Sequence, residues 1–241
     1  MDRLRFGIIG VGARGIGTAR GVNRRPDVEL VGVCDMDPER LELCDQEGIA
    51  GQRFADYRQL LELGLDAVCI NTDNNVHAEQ TIEAARRGCH VYCEKPIALT
   101  VADAEAMVEA CQDVATVVNL SRRRAPEHQE LRQRLQDGTW GRLLAVGVAQ
   151  PKVSGLLSRG GGHKATRDPA TWGPILMHDG VHACEWLRYM GGEVTSVYAQ
   201  ARTTGPDPQN EELIAAVTTH EHEVMGSISY MAMPFLERRD Y

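Results

Sequence analysis

Three groups of residues in this sequence have types and spacings that could do chemistry. The first is a glycine pattern near the N-terminus, Gly10-Val11-Gly12-Ala13-Arg14-Gly15. The second is the triplet Glu94-Lys95-Pro96, and the third is a stretch that contains His178, Asp179 and His182. Glycine patterns of this kind let backbone N–H groups approach a phosphate, and lysine and histidine side chains hold or transfer protons. The glycine pattern therefore predicts a phosphate-bearing cofactor, and the lysine and histidines could serve proton transfer. Taken alone, Glu94-Lys95-Pro96 could instead be a strand-to-helix turn with a surface ion pair.

The residues around the glycine pattern make it more specific. Residues 4–9 are predicted to form a strand before it and residues 13–23 a helix after it, which is the arrangement that binds a dinucleotide. Asp35 ends a second predicted strand, where its carboxylate could accept hydrogen bonds from both ribose hydroxyls and repel an additional phosphate. NAD is therefore expected in preference to NADP, although Arg40 lies about one helical turn beyond Asp35. Asp35 could instead cap the helix that Pro38 opens.

The elements that must position these residues alternate between strand and helix up to about residue 120. This alternation predicts a parallel sheet covered on both faces, with Glu94-Lys95-Pro96 after its fifth strand, at the edge where such folds bind ligands. Beyond residue 120 the pattern predicts helices over 125–136 and 175–189 and strands over 142–149, 194–201, 213–219 and 224–231. The predicted fold class is α/β: a Rossmann domain over 1–120, then a shortened α+β domain over 121–241 with a mostly antiparallel sheet.

Composition argues against several classes of function. The net charge of −8 disfavours binding to nucleic acid, and Arg122-Arg123-Arg124 is the only strong basic run. No stretch approaches the roughly 18 apolar residues that span a bilayer, and the N-terminus is interpreted as a strand rather than a signal peptide. Seven cysteines without a C-x-x-C pair predict neither a disulfide framework nor a zinc ribbon. We expect a reduced, cytoplasmic protein that binds neither nucleic acid nor membrane.

The segment Val91-Tyr92-Cys93-Glu94-Lys95-Pro96-Ile97-Ala98 resembles a motif of the Gfo/Idh/MocA (glucose–fructose oxidoreductase / inositol dehydrogenase) family. Other motifs of that family are matched in the expected order along nearly the whole chain. They are the glycine pattern, Asp35, Asn71-Thr72-Asp73-Asn74-Asn75-Val76-His77, Arg123 with Pro126, Gly138-Thr139-Trp140-Gly141, and residues 173–182.

The resemblance implies an NAD(P)-dependent dehydrogenase or reductase that acts on CH–OH groups. It would transfer a hydride between nicotinamide and a hydroxyl or carbonyl of a sugar, inositol or related polyol. Lys95 would polarise the reacting hydroxyl and His182 would be the general base, with His178 and Asp179 as further catalytic candidates. The residues expected to bind the cofactor are Gly10, Gly12, Ala13, Arg14, Gly15, Asp35, Asn71, Thr72, His77, Glu94, Lys95 and Arg123.

The sequence departs from the family's pattern in three places. His178 stands where the family usually has an aspartate, and Asp179 would point about 100° away on a regular helix unless an irregular turn at Gly180 brings it in. Asp73 replaces a common proline, which removes a fixed φ angle. The chain stops at Tyr241, whereas family members are usually longer. A shortened second sheet is therefore expected, and we expect it to be covered by formation of a homo-oligomer.

Several alternatives stay open at this point. His178 and His182 are four residues apart, as metal ligands on a helix are, and Cys184 or His220 with His222 could complete a zinc site; a metal-free pocket is expected instead.

The long segment over 152–167 could contact an anionic or hydroxyl-rich substrate through Lys164 and Arg167. The whole chain could also be a non-catalytic, nucleotide-sensing regulatory protein, or an NAD-assisted glycoside hydrolase of the same family.

Overall fold

The computed structural model describes residues 3–153, 168–174, 176–203 and 213–233. The chain divides into two compact units, Met1–Asn119 and Leu120–Tyr241. Lys164 and Arg167, which were considered as substrate contacts, lie outside the described residues.

The first unit is built on a six-stranded parallel sheet. Its strands are β1 (Leu4–Ile9), β2 (Val28–Cys34), β3 (Gln52–Phe54), β4 (Ala67–Ile70), β5 (His90–Cys93) and β6 (Thr116–Val118). They lie in the order β3-β2-β1-β4-β5-β6 and every neighbouring pair is parallel. This is the strand order of the dinucleotide-binding Rossmann fold, so the predicted fold class of this part is confirmed.

Five helices connect these strands: α1 (Ala13–Asn23), α2 (Pro38–Gln46), α3 (Tyr57–Leu61), α4 (His77–Arg86) and α5 (Val101–Ala110). Three of these helices have an N-cap side chain. Asp37, Asp56 and Thr100 each accept a hydrogen bond from a backbone N–H in the first turn of α2, α3 and α5, respectively. Helix α1 differs, because Gly12 at its N-cap supplies no side-chain hydrogen bond. Its first backbone N–H groups are therefore available to a ligand.

The two faces of this sheet carry separate cores. Ile9, Val68 and Ile70 pack with side chains of α3, α4 and α5, whereas Ile8, Val33 and Cys69 pack with side chains of α1 and α2. Burial on both faces explains why the central strands are apolar throughout rather than alternating. The buried cysteines act as small apolar residues, and burial raises the pKa of the Cys34, Cys69 and Cys93 thiols to about 12.

The described residues of the second unit form a four-stranded sheet with strands β7 (Ala145–Val153), β8 (Val194–Arg202), β9 (Leu213–His220) and β10 (Met225–Met233). Their order is β7-β10-β9-β8, with β8–β9 and β9–β10 antiparallel and β10–β7 parallel. The α-helices in this described part are α6 (Pro126–Gln136), α7 (Pro169–Trp172) and α8 (Val181–Gly191). Ala183 and Leu187 of α8 share a core with Ile228 and Tyr230 of the sheet. The predicted, mostly antiparallel second sheet is confirmed.

Two elements of this unit differ from the sequence prediction. Strand β7 begins later and runs further than residues 142–149, into a segment that Pro151 and Lys152 made look like a loop. Proline is tolerated there because β7 lies at the edge of the sheet. The helix predicted over 175–189 is not one regular helix, because a π-helical turn over Leu176–Gly180 precedes α8. Among the described residues, no helix is long and apolar enough to cross a membrane.

Candidate active site

The turn after β1 requires glycine at its first position. Gly10 has a φ of +85°, and a Cβ there would lie 2.8 Å from the carbonyl carbon of Asn71. At Gly15 a Cβ would overlap the carbonyl oxygen of Gly10. The glycines thus let β1, the start of α1 and the end of β4 approach more closely than side chains would permit.

Asp35 faces the glycine turn rather than the next helix. Its side chain is 8% exposed, with Oδ2 accepting a hydrogen bond from the Val11 N–H at 2.8 Å and Oδ1 accepting one from the Asp37 N–H at 3.0 Å. The alternative role of Asp35 as the cap of α2 is wrong, because Asp37 accepts the Glu39 N–H at 3.0 Å. Asp35 is therefore held in one orientation, beside the start of α1.

The loop after β4 is tied to the loop after β5 through His77. This imidazole is fully buried, with Nδ1 2.8 Å from the Pro96 carbonyl oxygen and Nε2 3.2 Å from that of Thr72. Burial lowers the pKa of His77, and the two carbonyl contacts oppose that shift. His77 therefore joins the two loops through their backbones.

The neighbouring residues support the same loop. The Thr72 hydroxyl donates to Gln80 Oε1 at 2.6 Å, and Asn71 Nδ2 lies 3.2 Å from the Cys69 sulfur. Asn71 Oδ1 is buried and has no hydrogen-bond partner within the described part of the chain. Asp73, which replaces the family's common proline, has a φ of −68°. Because this value is one that proline would fix, the substitution leaves the backbone in a proline-like conformation.

Glu94 is a buried carboxylate, and both of its oxygens are held by neighbouring groups. Oε1 accepts a hydrogen bond from Asn119 Nδ2 at 2.6 Å and lies 3.6 Å from Arg14 Nε, while Oε2 accepts one from the backbone N–H of Lys95 at 3.2 Å. The interpretation of the triplet as a surface turn with an ion pair is wrong, because Glu94 is only 8% exposed. Lys95, which is partly buried, precedes Pro96 through a cis peptide bond.

Residues at the carboxyl ends of β1, β2, β4 and β5 are thus gathered along one edge of the first sheet. They are the glycine turn, Asp35, Asn71, Thr72, Glu94 and Lys95. Asn119, just beyond β6, completes this set and was not singled out in the sequence. Its place after the sixth parallel strand is the signal that could have identified it, since all these strands end at the same edge.

The second unit places His178 and Asp179 in the π-helical turn and His182 in the first turn of α8. His178 is buried, and its ring contacts Trp172 edge to face at 5.5 Å between centroids. A π-helical turn contains one residue more than an α-helical turn. The alignment of positions 178 and 182 expected from a regular helix therefore does not apply, and an irregular turn at Gly180 is present as considered.

The histidines do not assemble into a metal centre within the described ranges. No group of three or more His, Cys, Asp or Glu residues there could hold an ion. His220 is buried and contacts the Gly192 carbonyl oxygen through Nδ1 and the Thr218 hydroxyl through Nε2, both at 2.9 Å. An Nδ1–H tautomer satisfies both contacts, so His220 is explained by the packing of α8 on the sheet.

Arg123, expected from the resemblance to contact the cofactor, is paired inside the second unit. Its Nε donates to the carboxylate of Glu185, a residue of α8 that is 7% exposed. The Arg123 guanidinium also lies 5.2 Å from the centre of the Tyr189 ring. Glu185 follows His182 by three positions, so these contacts fix the helix that carries the proposed base.

Replacing Arg123 with leucine is expected to destabilise the second unit by about 2–3 kcal/mol, because Glu185 would be left as a buried, unpaired charge. The value is below the full penalty because Arg123 is 42% exposed. All three tryptophans lie in the second unit, so urea unfolding followed by tryptophan fluorescence reports on the stability of this unit.

The control is Arg132→Leu. The Arg132 guanidinium lies 4.4 Å from the centre of the same tyrosine ring, and its loss should cost at most about 1 kcal/mol. Equal effects of the two substitutions would contradict the assigned role of the ion pair.

The sheet order and the glycine turn define a dinucleotide-binding α/β protein with a second, sheet-containing domain. Comparison with known families agrees: residues 4–121 match the model of the oxidoreductase family with an NAD-binding Rossmann fold, and residues 128–233 match the model of the GFO/IDH/MocA C-terminal domain. The chain belongs to the Gfo/Idh/MocA family.

Curated relatives include enzymes that act on polyols and sugar derivatives. The chain is 29% identical over 201 residues to a myo-inositol 2-dehydrogenase of Thermotoga maritima, covering 81% of this chain and 58% of that protein. It is 30% identical over 189 residues to a 1,5-anhydro-D-fructose reductase of Ensifer adhaerens, covering 77% and 56%. The chain therefore spans somewhat more than half the length of these relatives.

Among solved structures, the WlbA dehydrogenase of Bordetella pertussis, in complex with NADH and UDP-GlcNAcA, is similar with a TM-score of 0.83 and 26% identity. The match covers 98% of this chain and 72% of that one. A myo-inositol 2-dehydrogenase from Lactobacillus plantarum has a TM-score of 0.82 at 20% identity, which supports the fold alone.

Proposed function

We propose that this protein is an NAD-dependent oxidoreductase that transfers a hydride between nicotinamide and a hydroxyl or carbonyl of a sugar, inositol or related polyol. The observation that carries the proposal is the 3.6 Å contact between Arg14 and Glu94. It links the glycine turn, suited to a pyrophosphate, to the turn that contains Lys95. A cofactor-binding group and a proton-holding side chain are thereby held at one sheet edge, as hydride transfer to a bound dinucleotide requires.

The residues of the first unit suit an NAD molecule. The uncapped start of α1 offers backbone N–H groups to the pyrophosphate, and the fixed Asp35 carboxylate can accept hydrogen bonds from the ribose hydroxyls. Asn71 Oδ1, buried and unsatisfied within the described residues, offers an acceptor at the end of β4. When bound, the cofactor would supply the hydride chemistry.

The catalytic roles follow from chemistry and family membership. Lys95 would bind and polarise the reacting hydroxyl as a hydrogen-bond donor, and His182 would take its proton during oxidation. His178 or Asp179 would assist His182. The named relatives, an inositol dehydrogenase and an anhydrofructose reductase, support a substrate rich in hydroxyl groups. A cytoplasmic location and a homo-oligomeric state are parts of the proposal; the location is supported by seven cysteines that are all free thiols.

The test combines calorimetry with a substrate panel. NAD binding is measured by titration, and NADH formation is then followed with inositols, sugars and sugar acids, comparing wild type with His182→Asn. We expect NAD to bind both proteins and turnover to fall by about 10²–10⁴-fold in the variant, the usual contribution of a general base. NAD binding without turnover on any compound would favour a regulatory protein. Glycoside cleavage without net NADH formation would favour a hydrolase, and failure to bind NAD would contradict the proposal.

A further inference from the structure

The strongest unassigned feature of the first unit is the guanidinium of Arg40, which lies at the Asp35 corner of the sheet. Nη1 of Arg40 is 3.4 Å from Asp35 Oδ2, and its Nε is 3.3 Å from Asp37 Oδ2. A Cβ built on Gly12 would lie 3.5 Å from the same Nη1. The cation is thus placed over the second glycine of the turn and beside the carboxylate suited to the adenosine ribose.

We propose that Arg40 is a cofactor-selectivity residue that binds the 2′-phosphate of NADP, so that the protein uses NADP as well as NAD. The inference rests on the proposed function, because it concerns the same dinucleotide site. It adds a second cofactor, and it assigns the discrimination between the two to one side chain.

Arg40 is not needed to orient Asp35. Backbone N–H groups of Val11 and Asp37 already hold the two carboxylate oxygens at 2.8 and 3.0 Å. The Asp37 side chain caps α2 through the Glu39 N–H. A cation held loosely between two carboxylates, and itself 51% exposed, keeps donors that can turn toward an incoming anion.

The charges around Asp35 predict that NAD binds better than NADP but that NADP still binds. Asp35 and Asp37 carry two negative charges and Arg40 one positive charge, so the 2′-phosphate meets net repulsion, and NAD should remain the better ligand. Arg40 offsets part of that repulsion through a charge-assisted hydrogen bond with the phosphate. Without Arg40 the phosphate would meet the Asp35 and Asp37 carboxylates with no guanidinium between them.

The test is a calorimetric titration of the whole chain with NAD and NADP. For the wild type we expect NADP to bind no more than about 100-fold more weakly than NAD. In Arg40→Ala the ratio of the two Kd values should increase by a further 10- to 100-fold or so, the effect of losing one hydrogen bond between charged groups. The Kd for NAD should change by less than about threefold, because NAD has no 2′-phosphate with which Arg40 could form a hydrogen bond. Arg40→Lys, which keeps the charge, should restore most of the NADP binding.

The matched control is Arg58→Ala. Arg58 is equally exposed, at 52%, and also contacts two carboxylates, those of Asp56 and Glu79, but it lies in α3, outside the glycine turn and its surroundings. The NADP/NAD ratio should not change in this variant. An unchanged ratio in Arg40→Ala, or a wild type that binds NAD but not NADP, would overturn the role of Arg40 and leave the proposed function standing. Binding of neither nucleotide would overturn both.

Discussion

Replacing Lys95 with methionine is expected to lower kcat by about 10²–10⁴-fold, the range typical of a lost proton-holding group. Methionine keeps much of the length and apolar volume of the side chain but removes the ammonium. The backbone around it should persist, because Glu94 is held by Asn119 and Arg14 rather than by the lysine side chain alone. NAD affinity, measured by calorimetry, should therefore fall much less than turnover, because Lys95 is expected to contact the cofactor as well as to polarise the reacting hydroxyl.

Lys95→Arg separates the charge from the position of the hydrogen-bond donor. Arginine keeps the positive charge, but its larger planar guanidinium does not place a donor where the ammonium lies, so we expect substrate binding to be retained better than turnover. A fall in kcat with little change in KM would indicate a group that acts in the transition state. Unchanged turnover in Lys95→Met would contradict the assignment of Lys95 as the residue that polarises the hydroxyl.

The second large effect is expected at Gly10. Gly10→Ala would place a side chain at a φ of +85° and only 2.8 Å from the Asn71 backbone. A left-handed conformation alone costs a non-glycine residue about 1–2 kcal/mol, and the overlap with backbone atoms forces β1 and β4 to move apart. We expect a total loss of about 2–4 kcal/mol in the stability of the first unit, together with loss of measurable NAD binding.

Gly17→Ala provides the control for Gly10→Ala, because it makes the same change in the helix that follows. A Cβ at Gly17 would meet nothing within 4 Å, and alanine favours a helix interior by about 0.5–1 kcal/mol over glycine. This variant should be slightly more stable and bind NAD normally. Thermal unfolding and calorimetry of the two variants give the comparison. Normal NAD binding by a stable Gly10→Ala protein would contradict the close-approach role of the turn.

The first unit was largely predictable because its signals are local. Strand β1 and helix α1 follow from an apolar run and the glycine turn, and their bounds agree with the sequence prediction. Helix α2 begins at Pro38 as expected, although its end was not predicted. Strand β3 and helix α3 were not delimited, since elements of three and five residues are too short to show a period. The predicted bounds of β7 were shifted because Pro151 resembles a loop signal. Proline is acceptable in β7 because this strand lies at the edge of the sheet, and that position depends on tertiary structure.

The sequence predicted which residues belong to the site but not which side chains contact one another there. The sequence singled out Glu94, but its burial and its pairing with Asn119 and Arg14 depend on three separate parts of the chain. Arg123 and Glu185 are 62 positions apart, and no periodic pattern connects residues at such a distance. The π-helical turn before α8 has no reliable sequence signal either, although such turns are frequent at functional sites.

Isotope labelling can follow hydride transfer itself. The protein is incubated with NAD and carbon-deuterated inositols or sugars, and the mass of the reduced nicotinamide is determined. We expect reduced cofactor that carries one deuterium to form with the wild type and to be strongly diminished with His182→Asn and Lys95→Met. Conversion of substrate without deuterated NADH, or binding of NAD with no reduction on any compound of the panel, would contradict the assignment as a polyol oxidoreductase.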